Sequence, residues 1–160
     1  MGFTGITQAT CAKAWNSMVF PSLAPLAGLG IINKYAGCIV VLDPNSSEFA
    51  VLFSATINSA EDDQRYMHIA MAKAEVSRRT GLSSSLVQTQ YPHLYTEGDT
   101  KWGGSTVDGV GLVVAFSGVQ AVYDEMISEW MASAIRALCR NEMTKKGGVM
   151  DSEDSFLYEN

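Results

Sequence analysis

This chain of 160 residues has few of the side chains that hold metals or form cross-links. It contains two histidines and three cysteines. The cysteines Cys11, Cys38 and Cys139 lie far apart, with no CxxC pair. Zinc sites need three or four ligands within reach, and disulfide scaffolds use closely spaced, even sets of cysteines. The sequence therefore predicts neither, and we expect three reduced thiols in a cytoplasmic protein.

Positive charge and long apolar runs are also scarce. Lys and Arg number 11 against 17 Asp and Glu, so the formal net charge is -6. Such a chain is poorly suited to nucleic-acid phosphates or to an anionic membrane surface. Pro, Gly, Asn or Asp interrupts each apolar run well before the ~20 residues that a membrane span needs. The first ten residues lack the features of a secretory signal. We expect no nucleic-acid and no membrane partner.

Three apolar runs predict an antiparallel sheet. Residues 38–42 and 48–54 are separated by turn-forming residues, which predicts a hairpin over 38–54. Residues 112–116 form a third run, which is typical of a strand buried on both faces. We expect all of these strands to lie in one sheet.

Helical spacing begins near the N-terminus. In residues 7–20 the apolar side chains recur at the spacing of one helical face, and Thr7 is a suitable N-cap. Pro21 and Pro25 follow, and an interior proline loses a hydrogen bond and clashes with the preceding turn. This helix is therefore expected either to stop at Phe20 or to continue with a kink.

Two further helices complete an α+β pattern. One follows Ser59 or Asp62 and ends at Gly81, and the other spans 123–141. Between them, we expect 83–101 to be a loop that can include one short helix. The length fits one domain, which we place at 1–143 with an acidic tail at 144–160.

The segment 103–118 predicts a strand with a crowded backbone at both ends. It begins with Gly103-Gly104 and ends with Ser117-Gly118. The glycine pair either lets a ligand approach backbone N–H groups or forms a turn with positive φ, and we favour the turn. Ser117-Gly118 resembles a corner rather than a nucleophile, because the Gly-x-Ser-x-Gly pattern is absent.

Five charged or titratable side chains have alternative interpretations. Lys73 either binds an anion, extends to solvent or pairs with an acid such as Asp124. Both residues belong to motifs that flank the same strand end, so we expect them to lie near each other at the edge of a cleft. Asp124 and Glu125 most simply stabilise a helix N-terminus, since adjacent helix residues point in different directions and do not form a catalytic pair. His68 lies on an amphipathic helical face, and His93 lies in a loop. We expect both histidines to be solvated rather than ligands.

Several of these motifs together resemble the GlcG/HbpS-like heme-binding family, which includes the C-terminal domain of PduO-type proteins. The residues that carry the resemblance are Ile69-Ala70, Lys73-Ala74, Thr80, Gly103-Gly104, Val113 to Gly118 and Asp124-Glu125. The resemblance covers residues 38–138. It implies a profilin-like α+β sandwich, a homo-oligomer and, in some members, binding of heme or corrinoid.

From this resemblance we expect the ligand-binding residues to be Lys73, Gly103, Gly104, Ser117, Gly118 and Asp124. No iron ligand can be assigned, so the cofactor stays unknown, with heme implied by resemblance alone. We expect a protein that binds a small molecule, either a tetrapyrrole or a small organic acid. A non-catalytic assembly or adaptor protein is the alternative, and an enzyme acting on a small acid is the least favoured.

Self-association is also predicted from the residues. A helix that is apolar beyond one face needs a second surface on which to bury. Helix 123–141 has apolar residues on more than one stripe, and the first helix carries Trp15 and Met18 at different angles. The residues of the longer helix are Met126, Ile127, Trp130, Met131, Ala134, Ile135 and Leu138.

Overall fold

The computed structural model describes residues 3–57, 63–109 and 111–145, and within them it shows the predicted α+β fold. Four strands form one sheet in the order β2-β1-β4-β3, and every neighbouring pair is antiparallel. The strands are β1 (Gly37–Leu42), β2 (Val51–Ile57), β3 (Ser105–Val107) and β4 (Val113–Ser117). The hairpin and the strand near 112–116 therefore share a sheet, as predicted.

The second strand of the hairpin starts later than the sequence predicted. Residues 48–50 are not part of β2, which begins at Val51. The connection is held by short-range side-chain bonds instead: the Asn45 amide donates to Asp43 Oδ1 at 2.9 Å, and the Glu48 amide donates to Ser46 Oγ at 3.2 Å. Such local bonds compete with strand pairing, and they lengthen the turn.

The N-terminal helical segment continues past its prolines. Helix α1 (Gln8–Ala14) begins at Thr7, whose hydroxyl accepts the Thr10 amide at 3.1 Å. A π-helical turn (Trp15–Val19) and a 3-10 turn (Phe20–Ser22) then lead into α2 (Leu23–Gly28). Of the two alternatives for this segment, the kinked continuation is correct, with the irregular turns placed around Pro21.

The remaining helices match the predicted order. Helix α3 (Asp63–Thr80) ends at Gly81, whose φ is +73°. A short helix α4 (Ser84–Gln90) lies within the predicted loop, and α5 (Ala121–Lys145) extends the predicted helix at both ends. The predicted caps Ser59 and Asp62 lie outside the described residues, as does the predicted tail beyond Lys145.

The two faces of the sheet are covered differently. One face of β1 contributes Ile39 and Val41 to a large apolar core with α1, α2 and α5. The other face contributes Cys38, Val40 and Leu42 to a smaller core against α3. Helix α3 also brings polar side chains to that second face, and they position the site described next. None of the helices within residues 3–57, 63–109 and 111–145 has the length and apolar character needed to cross a bilayer.

Candidate ligand-binding cleft

A cleft of about 280 Å³ opens where β4 leads into α5. Helix α3 supplies one wall with Arg65, Tyr66, Ile69 and Lys73. Residues 117–121 and Asp124 supply the opposite wall, and Lys34 and Trp102 complete the lining. We call this site the Lys73 cleft. Its position follows from the chain path, because the corner after β4 faces the first turns of α3.

A buried ion pair forms part of the cleft wall. Lys73 Nζ lies 2.9 Å from Asp124 Oδ2, and the two side chains are 2% and 4% exposed. The same ammonium donates to the Phe116 carbonyl at 3.0 Å, and Asp124 Oδ1 accepts the Val119 amide at 3.0 Å. The predicted proximity of Lys73 and Asp124 is therefore confirmed, and the pairing alternative for Lys73 is the one observed.

Burial works against the charges of this pair. Desolvation lowers the pKa of Lys73, while the charge and hydrogen bond of Asp124 raise it in part. Desolvation likewise raises the pKa of Asp124, against the lowering effects of Lys73 and of the Val119 amide. A proton is therefore held less tightly by this lysine, and more tightly by this aspartate, than in water.

Glycine is required next to the pair. Gly104 has a φ of +131°, and a Cβ added there would lie 2.7 Å from Lys73 Nζ and 2.8 Å from Asp124 Cβ. Gly118 has a φ of +153°, and a Cβ there would collide with the backbone of residues 36 and 37. The backbone is thus crowded at both ends of the segment 103–118, as predicted, and antiparallel pairing of β3 with β4 brings both crowded glycines to the C-terminal end of β4. Gly104 has the positive φ that the turn interpretation requires.

A set of buried serines holds the segment around Gly103-Gly104, and sequence reasoning missed it. Ser105 Oγ donates to the Lys73 carbonyl at 2.9 Å, and Ser77 Oγ lies 2.5 Å from Ser105 Oγ. Since the Ser105 hydroxyl hydrogen is used, Ser77 must donate to Ser105. Ser128 Oγ donates to the Gly104 carbonyl at 2.7 Å. Serines at core positions of helices were the available signal.

The mouth of the cleft is cationic and aromatic, and its residues were also missed. Lys34 Nζ donates to Tyr66 Oη at 2.6 Å. Gln120 holds the segment before Lys34, since its Oε1 accepts the Asn33 amide at 3.0 Å. Trp102 is 63% exposed beside them. No sequence motif marked these residues, because they come from four separate segments.

The six predicted ligand-binding residues divide into two groups. Four of them line the cleft: Lys73, Ser117, Gly118 and Asp124. Gly103 and Gly104 are buried outside the lining, with Gly104 directly against the Lys73 ammonium. Glu125 points elsewhere and accepts Ser85 Oγ at 2.6 Å, so it does not form a carboxylate pair with Asp124.

The residues around the cleft do not fit an iron-ligating heme site. Its lining contains no His, Cys or Met, and the hydroxyl of its one tyrosine, Tyr66, is bonded to Lys34. His68 and His93 are exposed and do not line the cleft. Across residues 3–57, 63–109 and 111–145, no three His, Cys, Asp or Glu side chains are grouped to hold a metal ion. We therefore derive no chemistry through heme iron here.

A second ion pair holds the segment that leads to Trp102. Arg79 donates to both carboxylate oxygens of Asp99, at 2.5 and 3.1 Å, and to the Leu94 carbonyl at 3.2 Å. Asp99 also accepts the Thr96 amide at 2.7 Å. These bonds tie the irregular segment after α4 to the end of α3.

The fold defines a single-domain α+β protein that shares its architecture with known structures. It matches Ybr137w with a TM-score of 0.59 and 14% identity, over 85% of this chain and 82% of that one. It matches HbpS with a TM-score of 0.57 and 18% identity, over 83% and 92%. It matches PduOC, solved as a heme complex, with a TM-score of 0.54 and 12% identity, over 82% and 95%.

These similarities agree with the resemblance predicted from the motifs, since HbpS and PduOC are among the structures with this fold. At such low identity they establish the fold and not the activity. No family model matches the chain, and no curated protein matches it in sequence.

Proposed function

We propose that this chain binds a small organic anion, such as a carboxylate, in the Lys73 cleft. The observation that supports the proposal most is that the cleft lining is positively charged although the whole chain is negatively charged. Among the residues that line the cleft, Lys34, Arg65 and Lys73 are accompanied by one acid, Asp124, whereas the full sequence carries a net charge of -6. A concave site of one sign concentrates ligands of the opposite sign.

Each element of the cleft has a role in this proposal. Lys73 is already paired with Asp124, so Arg65 and Lys34 are the cations that would contact the anion. Among the described residues Arg65 has no ion-pair partner, and a guanidinium can bind a carboxylate through two hydrogen bonds. Helix α5 begins at Ala121 in the cleft wall, and its positive dipole end favours an anion there.

The size of the cleft favours a small acid over a tetrapyrrole. Pockets for drug-sized ligands have volumes of roughly 300–1,000 Å³, and the Lys73 cleft, at about 280 Å³, lies at the lower limit. The heme complex is a property of PduOC, and this cleft lacks His, Cys and Met in its lining. We expect a hemin titration to give little or no Soret shift. A sharp shift at stoichiometric hemin, lost in His68→Ala, would show that an exposed histidine binds the iron.

Calorimetric titration with lactate, pyruvate and succinate tests the anion proposal. At least one should bind the wild type, and Arg65→Gln should weaken that binding by roughly 10- to 100-fold, the value of a charge-assisted hydrogen bond. Arg140→Gln is the matched control, because Arg140 is exposed on α5 and does not line the cleft. Absence of binding, or equal losses in both variants, would contradict the proposal.

We also propose self-association, the basis of the assembly alternative. Met18 is 46% exposed and Trp130 is 38% exposed, and they line one groove with Val19, Ala134 and Ala137. This groove is smaller than the interface surface predicted from the sequence. Trp15 is only 3% exposed, and Ile127, Met131 and Ile135 are buried within their own subunit, so these four side chains are not available to a partner.

Light scattering of Trp130→Glu tests this surface. Because Trp130 is partly exposed within one subunit, the variant should stay folded while the mass falls to that of one chain. A wild-type mass equal to one chain, unchanged on concentrating, would refute self-association. We also propose a reducing, cytoplasmic location, which is supported by the lack of a disulfide among Cys11, Cys38 and Cys139.

A further inference from the structure

Lys73 differs from the other described lysines in its surroundings. Lys13, Lys34, Lys101 and Lys145 are exposed, whereas Lys73 is buried and still lines the cleft. Its amine is in direct contact with a carboxylate. A lysine in contact with a base, at the wall of a cavity, is the arrangement of an activated nucleophile.

We propose that Lys73 forms a Schiff base with a carbonyl group of the anion bound in the Lys73 cleft, so that the ligand class is a small oxo acid. This inference rests on the proposed anion binding and adds a covalent step to it. The exposed cations Arg65 and Lys34 would hold the carboxylate, and the carbonyl carbon would meet Lys73 Nζ.

The contacts of Lys73 suit this role. Asp124 Oδ2 lies 2.9 Å from Nζ, within the distance at which a base takes a proton from a nucleophile. Gly104 packs against the pair without a side chain, so Nζ can reach both Asp124 and the Phe116 carbonyl. Burial, which lowers the pKa of Lys73, also raises the fraction of neutral amine that can attack.

The step balances with the groups present. The Lys73 ammonium gives a proton to Asp124, and the neutral amine then attacks the carbonyl carbon. A C–N bond forms, the carbonyl π bond breaks, and an amine proton moves to the oxygen to give a carbinolamine. The proton on Asp124 then leaves with the hydroxyl as water. The product is a protonated imine whose remaining N–H can still donate to Asp124, while the bond to the Phe116 carbonyl is given up.

Borohydride trapping on the wild-type protein tests this proposal. The probes are pyruvate, in which the carbonyl is next to the carboxylate, and 4-oxopentanoate, in which it is farther away. Reduction converts an imine to a stable secondary amine that trypsin does not cleave. Trypsin cuts after Arg65, Lys73 and Arg78, so an adduct on Lys73 appears as the uncut peptide 66–78 with the mass of the reduced probe added.

The exposed lysines are internal controls in the same digest. With at least one probe we expect about tenfold more label on Lys73 than on Lys101, because a bound carbonyl is presented at a high effective concentration. Excess lactate, which lacks the carbonyl, should suppress the label on Lys73 and leave that on Lys101 unchanged. Label confined to Lys34, Lys101 and other exposed lysines, with peptides 66–73 and 74–78 unmodified, would overturn the inference.

Calorimetry separates this failure from a failure of the proposed function. If the oxo acids or lactate bind the cleft but no adduct forms on Lys73, anion binding stands and the Schiff base is wrong. If none of the three binds and no adduct forms, both proposals are wrong.

Discussion

Helix α3 supplies the cation of two ion pairs, Lys73 and Arg79, six residues apart. The first pair is buried and the second is partly exposed. The side chains of Lys73 and Asp124 are 2% and 4% exposed, whereas those of Arg79 and Asp99 are 32% and 10% exposed. The inner pair lies in the cleft wall, and the outer pair anchors a surface segment. The same type of interaction therefore serves two different purposes within one helix.

The two carboxylates are shifted in opposite directions. The Arg79 hydrogen bond, aided by Thr96, lowers the pKa of Asp99. Desolvation raises the pKa of Asp124 even though a lysine is in contact with it. The outer pair thus favours the charged carboxylate, whereas the inner pair holds its charges at a cost. A buried ion pair is often not stabilising overall, because desolvation offsets the attraction between its charges. Stability alone therefore does not account for the pair, and this supports the chemical role that we propose for Lys73.

Breaking the inner pair should have the largest effect. Lys73→Met leaves the Asp124 carboxylate buried without its cation. We expect the free energy of unfolding to fall by about 3–5 kcal/mol, as measured by urea denaturation. Lys101→Met is the control, because Lys101 is exposed, and it should change stability by less than about 0.5 kcal/mol.

The double variant Lys73→Met with Asp124→Leu sharpens the same comparison. Replacing both charges with apolar groups removes the desolvation cost and should restore part of the loss. If Lys73→Met alone costs no more than Lys101→Met, the inner pair is not energetically distinct from a surface charge.

Substitution of the glycine beside the inner pair should have the next largest effect. Gly104→Ala places a Cβ against Lys73 and Asp124 at a φ of +131°, and strain plus overpacking should cost about 3 kcal/mol.

Gly98→Ala is a matched control for the conformational part of that cost. Gly98 also has a positive φ, +87°, but nothing lies within 4 Å of an added Cβ. Its cost should be about 1–2 kcal/mol, from backbone strain alone. Equal losses in the two variants would show that the crowding at Gly104 is relieved by movement of its neighbours.

The comparison also explains what could be predicted from the sequence. The spacing of apolar residues and the positions of turn residues predicted the sheet and the main helices. Both signals are local, because each arises within one continuous segment of the chain. The Lys73–Asp124 contact was anticipated because both residues belong to motifs that flank one strand. The start of β2 was predicted three residues early, because side-chain bonds in the turn were not visible as a pattern.

The rest of the site could not be predicted in the same way. Lys34, Arg65 and Trp102 meet at the cleft mouth from three distant segments, and each is an ordinary surface residue in its own neighbourhood. Ser77 and Ser128 occupy helical positions where their hydroxyls replace apolar packing. The helical positions of these two serines mark them as buried, but only tertiary contacts show which groups their hydroxyls bind.

Breaking the outer pair should have the smallest effect, and its pH dependence provides a direct check. Arg79→Ala removes a partly exposed pair and should cost at most about 1 kcal/mol near neutral pH. The pKa of Asp99 is lowered in the folded state, so its contribution is present above the ordinary value of 3.8 and is lost as the pH falls below it. The difference between wild type and variant in urea denaturation should therefore shrink on acidification. A difference that grows at low pH would mean that Asp99 is not the group that Arg79 stabilises.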